Sequence, residues 1–98
     1  MSWVEIPNFN GLYQINKDGD VRSFQSGTWK ILKQGVSDRG YKTVQLHLNK
    51  KKFLFKTHRL IAKAFIPNPL NKEEINHINC DKLDNSIDNL EWCSRKEN

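Results

Sequence analysis

Asn76-His77-Ile78-Asn79-Cys80-Asp81-Lys82-Leu83-Asp84-Asn85-Ser86-Ile87-Asp88-Asn89-Leu90-Glu91-Trp92-Cys93-Ser94-Arg95-Lys96-Glu97-Asn98 is the segment around which the rest of the chain is organised. His77 stands between an apolar run and a polar one, with Asn89 twelve residues later and Asn98 nine after that. Asn79, Asp81, Asp84, Asn85, Ser86 and Asp88 are turn and Asx-type formers, so an ordered loop follows the histidine in place of a continuing strand. Asn89 then opens Leu90-Glu91-Trp92-Cys93, which alternates like a half-buried strand. Ser94 with Glu97 three residues on is a capping box that starts a helix. The order is strand, loop, strand, helix start, an arrangement that brings His77, Asn89 and Asn98 toward one small volume.

Working outward, Glu73-Glu74-Ile75-Asn76 reads as the strand leading into His77, and alternation puts Glu74 on the same face as Asn76. Before it, Leu60, Ile61, Ala64 and Phe65 fall at helical steps behind Thr57, a residue suited to an N-cap, and Pro67 and Pro69 end that helix. The first half of the chain is strand-like. Trp3-Val4-Glu5-Ile6, Tyr13-Gln14-Ile15 and Asp20-Val21-Arg22-Ser23-Phe24 are short segments separated by turns at Asn8–Gly11 and Asn16–Gly19, an antiparallel meander. Trp29–Lys33 adds a further strand. Tyr41–Leu48 alternates with one wet face bearing His47, and Phe53-Leu54-Phe55 returns beside it after Asn49-Lys50-Lys51-Lys52. The three tryptophans and Phe24 are expected to anchor the core, because so short a chain has little else to bury. The fold class is therefore α+β: a small antiparallel meander and hairpin, one helix, then a strand–strand–helix end. The division falls between a β-rich module over 1–56 and a helix plus site module over 57–98, sharing one core.

The stretch from Asn76 to Asn98 resembles the HNH nuclease motif, a ββα metal finger, and in particular its phage homing-endonuclease branch. The segments upstream fit the same pattern: Trp3 and Ile6 with Gly11–Ser23 look like the small module that often precedes the motif, and His58-Arg59-Leu60-Ile61-Ala62-Lys63-Ala64-Phe65 with Pro67-Asn68-Pro69 is similar to the helix leading into it. The resemblance implies His77 as general base, Asn89 as the middle letter that braces the loop or orients His77, and Asn76 and Asn98 as ligands of one divalent cation, Mg²⁺ or Mn²⁺. The family commonly has an acidic residue before the histidine, where this chain has Asn76. A neutral amide brings no charge, and Mg²⁺ ordinarily relies on one or two carboxylates plus phosphate oxygens. Glu74 is one source of the missing carboxylate. The implied reaction is hydrolysis of a DNA phosphodiester by metal-activated attack of water, leaving 5′-phosphate and 3′-hydroxyl ends, with one strand nicked per site.

Composition bounds the partners. Net charge is +5 over 98 residues, and it is unevenly placed. Residues 1–56 hold ten Lys/Arg against four Asp/Glu, while residues 57–98 hold six against seven, so the basic excess lies upstream of the site. That pattern fits a protein that grips a phosphate backbone with one part and cuts it with another. Arg22, Arg39, Lys50, Lys51, Lys52, His58 and Arg59 are the expected contacts to double-stranded DNA. No apolar run is long enough to span a membrane and no signal peptide is indicated, so the expected setting is cytoplasmic, without a small-molecule cofactor. Cys80 and Cys93 lack zinc-type spacing and are expected as reduced thiols with Cys93 buried. A helix begun at Ser94 cannot hold itself in five residues. Either the chain continues in the natural protein, or packing and a bound metal hold the last turn. Without a C-terminal DNA-reading segment, site selectivity is expected to be poor. Two rivals to a working nuclease remain: a DNA-binding protein that keeps the HNH fold but cuts weakly or not at all, and a domain whose basic half docks an acidic protein partner.

Overall fold

A computed structural model describes residues 2–96. The amino-terminal part is a four-stranded antiparallel meander of β1 (Trp3–Glu5), β2 (Tyr13–Asn16), β3 (Val21–Gln25) and β4 (Thr28–Ile31), in that spatial order. A second antiparallel sheet contains β5 (Gly35–Val36), β6 (Lys42–Leu48) and β7 (Lys51–Lys56). Helix α1 (Thr57–Phe65) follows directly, and the chain returns as an antiparallel pair, β8 (Glu74–His77) and β9 (Leu90–Cys93). The α+β class expected from the sequence is the one observed.

Alternation explains which faces meet. Ile15 and Val21 from the meander, Val44 and Leu46 from β6, Ile61 and Ala62 from α1, and Ile75 and Leu90 from the last pair form a single buried cluster, to which both halves of the chain contribute. Helix α1 is the common support, packed against β2, β6, β7, β8 and β9. The two larger sheets are also tied by Tyr13, whose hydroxyl accepts the amide of His47 at 2.9 Å. The helix ends where the prolines require, since Ile66, just before Pro67, is already extended. Its start differs from expectation. Lys56 occupies the N-cap position without a side-chain cap, and the buried Thr57 donates its hydroxyl to Gln34 Oε1 at 2.7 Å. Gln34 passes the connection on by donating to the carbonyl of Gly19 at 2.8 Å, so Thr57 ties the helix to the meander instead of capping it.

The tryptophans also need correction. Tyr13, Ile15, Val21 and Ser23 fill the inner face of the meander, which leaves Trp3, Phe24 and Trp29 on its outer face. There the guanidinium of Arg22 lies 4.2 Å from the ring centre of Trp3 and 4.6 Å from that of Trp29, and donates to Gln14 Oε1. Phe24 is 44% exposed and meets Trp29 edge-on. Only Trp92 takes the expected inward place, packing on the core with its indole N–H on the carbonyl of Ile66 at 3.0 Å.

Candidate active site

Strand β8 ends on His77, and the loop from Ile78 to Ser86 runs through a short 3₁₀ turn, Ile87–Asn89, into β9. Its polar side chains take over the work of a strand ladder. Asn89 is the hub: its Oδ1 accepts the amide of Asn79 at 3.0 Å, its Nδ2 donates to the carbonyl of Asp84 at 2.8 Å, and its own carbonyl accepts the amide of Ile78 at 2.8 Å. Asn79 and Asp81 form successive Asx turns with the amides of Asp81 and Leu83. The Asp84 carboxylate accepts both the hydroxyl and the amide of Ser86, and also the amide nitrogen of Asn79. The bonds from Ser86 are the main reason its carboxyl group is held below the usual range. Asn89 is thus bonded to both sides of the loop.

Orientation of the histidine falls to a residue that sequence reasoning passed over. His77 is 7% exposed, and its Nε2 lies 2.8 Å from Oδ1 of Asn85, itself 5% exposed. An amide oxygen only accepts, so Nε2 carries the proton and Nδ1 carries the lone pair. Asn85 Nδ2 has no hydrogen-bond partner among the described residues. In the sequence Asn85 was one more turn former in a run of them, and nothing distinguished it.

Behind His77 sits a second imidazole. His58, in the first turn of α1, has its ring centre 5.0 Å from that of His77 and stacks on Tyr41 at 5.0 Å. It is 5% exposed, and its Nδ1 is buried without a partner among the described residues. Burial, then the charge of a protonated His77 and of Arg59 and Lys56, pushes its pKa down to about 4. His58 is thus a neutral wall of the site, which corrects its expected place on a DNA-contacting surface.

A cavity of about 210 Å³ opens beside these rings, lined by Tyr41, Ile75, Asn76, His77, Cys80 and Lys82. Asn76 pairs in register with Glu91 across the strands, and its Nδ2 donates to Glu91 Oε1 at 2.9 Å. The carboxylate bonded to Asn76 is therefore Glu91, whereas Glu74 lies opposite Cys93. Alternation along one strand does not report the neighbour across the ladder, which here is Glu91. Among the described residues no group of three or more His, Cys, Asp or Glu side chains could hold a metal ion. What this corner offers is the hard-oxygen pair of Asn76 amide and Glu91 carboxylate. That donor set fits a weakly held Mg²⁺ or Mn²⁺ that keeps most of its water, and it does not fit a thiolate or imidazole metal centre. Neither cysteine is in a disulfide: Cys80 is exposed and Cys93 is buried. Asn98 and the Glu97 end of the capping box lie outside the described residues.

The other expected contacts scatter. Lys50 lies in the two-residue turn between β6 and β7, where Asn49 and Lys50 both have positive φ, while Lys51 and Lys52 belong to β7, and all three lysines are exposed. Arg39 is exposed in the turn before β6. Arg59 is half-buried and donates to the carbonyl of Glu73 at 3.1 Å. Arg22 is clasped by its two tryptophans, away from the loop.

With this geometry in place, comparison with known proteins is decisive. Residues 55–98 match the family described as HNH endonuclease, and residues 1–47 match the NUMOD4 motif. The chain belongs to the HNH homing endonuclease family. It is 33% identical to the DNA endonuclease I-HmuI of Bacillus phage SP01, over 100% of this chain and 55% of that one. An uncharacterized HNH endonuclease of Acanthamoeba polyphaga mimivirus is 40% identical over 91% of this chain and 26% of its own length. The solved structure of I-HmuI, described as DNA binding and cleavage by that HNH homing endonuclease, superposes with a TM-score of 0.89 at 32% identity, covering 99% of this chain and 55% of the other. The chain thus spans between about a quarter and about half of the length of these relatives.

Proposed function

We propose that the chain hydrolyses phosphodiester bonds of double-stranded DNA, one strand at a time, with His77 as the general base. One observation carries the reading: a buried histidine at the wall of an open cavity whose Nε2 proton is committed to Asn85, leaving Nδ1 as the nitrogen able to take a proton. As a water oxygen attacks phosphorus, its proton passes to Nδ1 of His77. The bond from phosphorus to the 3′ oxygen breaks, and that oxygen takes up a proton to leave as the 3′-hydroxyl, with a 5′-phosphate on the other fragment. Asn85 remains an acceptor throughout and supports the imidazolium as it forms. Asn89 holds the loop that presents both residues. Asn76, Glu91 and Asn98 are the residues that would hold a divalent cation, which would supply positive charge to the phosphate. Arg39 and Lys50–Lys52 grip the backbone from the basic half, joined by Arg22 and Arg59 at its margins. The phage relative suggests the cytoplasm of a host cell as the setting.

The test is relaxation of supercoiled plasmid at low salt with Mg²⁺ or Mn²⁺. His77→Ala is expected to lower nicking by about 10²–10⁴-fold, and Asn76→Asp to raise it. A specific observation favours a second reading, a DNA-binding protein with a disabled site: Asn76 stands where the family usually has an acid. Cleavage by Asn76→Asp but not by the parent chain would select that reading, and inert parent and variants alike would sink both catalytic versions.

A further inference from the structure

Two parts of the chain place positive charge around one aromatic ring beside His77. Lys82, from the loop after β8, has its Nζ 4.8 Å from the ring centre of Tyr41. Lys56, at the end of β7, has its Nζ 5.0 Å from the same centre. The ring itself stacks on His58, and both Tyr41 and Lys82 line the cavity that holds Asn76 and His77.

Lys82 is held as well as near. Its Nζ donates to the carbonyl of Arg39 at 2.9 Å, which fastens the site loop to the turn before β6. The stem runs beside Gly40, where an added Cβ would sit in ordinary van der Waals contact, 3.6 Å from Lys82 Cδ. Neither Lys56 nor Lys82 forms a salt bridge to a carboxylate among the described residues, although the site loop carries Asp81, Asp84 and Asp88. Two ammonium groups on one ring repel each other, and the ring quadrupole offsets only part of that. A dianion or a backbone phosphate at the cavity mouth relieves it.

We propose that Lys82 and Lys56, set against Tyr41, form the phosphate subsite of the His77 cavity and take a non-bridging oxygen of the DNA phosphodiester. This rests on the nuclease reading and adds to it the groups that fix the phosphate. Lys82 lines the cavity and Lys56 reaches the Tyr41 ring that lines it, whereas Lys50–Lys52 lie toward the turn of the β6–β7 hairpin. The charge they bring to the phosphate also stands in part for the carboxylate-held cation charge that Asn76 weakens.

The experiment uses the full chain and a short DNA duplex. Binding is followed by fluorescence anisotropy between 25 and 200 mM salt, and nicking is followed with DNA in saturating excess. The variants are Lys82→Ala, Lys56→Ala and Lys82→Arg, with Lys33→Ala, an exposed lysine outside the site, as the charge-matched control. All three positions are exposed, so folding is not at stake. Lys82→Ala and Lys56→Ala should each shorten the slope of log K against log salt by about 0.9 and slow saturated nicking at least tenfold, with Lys82→Arg restoring the slope. If the parent nicks and both alanine variants behave like Lys33→Ala, the subsite is wrong and the nuclease reading stands. If the parent does not nick, that reading fails, and the slopes still decide: shortened slopes keep the phosphate subsite in a DNA-binding protein, and slopes equal to the control overturn it.

Discussion

The amino-terminal meander and the β8–β9 loop are held by different forces, and each uses a buried asparagine to do a different amount of work. In the meander, Asn16 is fully buried and its Oδ1 accepts the amides of Asp18 and Asp20, but the turn it closes is also bounded by paired strands and by the bond from the Asn16 amide to the Asp20 carbonyl. The loop that Asn89 holds is longer: the β8–β9 pair and the bond from the Ile78 amide to the Asn89 carbonyl close only its neck, and the Asn89 side chain reaches Asn79 and Asp84 inside it. Between His77 and Leu90 the backbone has no strand pairing, and side chains supply the partners that a ladder would. A region built on apolar alternation tolerates the loss of one polar bond, whereas a region built on polar bonds does not.

The largest effect should therefore come from Asn89→Ala. It leaves the amide of Asn79 and the carbonyl of Asp84 unpaired, at about 1–3 kcal/mol each, for a loss of about 3 kcal/mol in urea unfolding at pH 7. Asn16→Ala should cost about half as much. Equal losses would erase the contrast between the two regions, and a smaller loss at Asn89 would reverse it.

Next in size is a pH effect at the seam between the regions. His58 has a folded pKa of about 4, below its ordinary value near 6.5. The unfolded chain therefore binds the extra proton first, and the stabilisation that neutral His58 represents is complete above about pH 6.5 and is lost as pH falls toward 4. Between pH 7 and pH 5 the decline should be about 2 kcal/mol, and His58→Phe should flatten it. Asp84 does not confuse the measurement, because its depressed carboxyl contributes stability that disappears only below the ordinary carboxylate range. A slope unchanged in His58→Phe would mean that this ring does not govern the window.

These contrasts also account for what could be read in advance. Helix α1 and the β6–β7 hairpin were legible because apolar spacing reports burial directly. The β8–loop–β9 order was legible because a run of turn formers separates two alternating segments. The outward tryptophans were not: a large aromatic residue predicts burial only when its face is known, and the inner face of the meander was already filled by smaller residues. Within the site, His77 stood out by its position and by its resemblance to a motif, and Asn89 by its spacing. Asn85, Glu91, Tyr41 and Lys82 act through pairings across strands and between modules, and no periodicity along one strand carries that information.

The smallest effect is the sharpest test of whether the two regions are coupled. Gly19, in the meander turn, has φ +90°, and a Cβ there would come within 3.2 Å of Ile61 Cδ1 and 3.5 Å of Asn85 Cβ. The neighbouring Lys17 carbonyl accepts the amide of Ile87 at 3.1 Å, so this turn is the prop on which the Asn85 segment rests. Gly19→Ala should cost about 1–2 kcal/mol from the left-handed backbone and the close contact. It should also lower nicking several-fold under conditions where the variant is fully folded, because relieving the tight contact with Ile61 Cδ1 shifts the turn that props the Asn85 segment. Gly27, at φ +82° with nothing within 4 Å of an added Cβ, is the internal control. Gly27→Ala should show about 1 kcal/mol of the same backbone strain and no change in nicking. If the two alanines lower stability and leave activity alike, the meander is only a neighbour of the site; a loss confined to Gly19→Ala makes it the support that keeps Asn85 against the histidine.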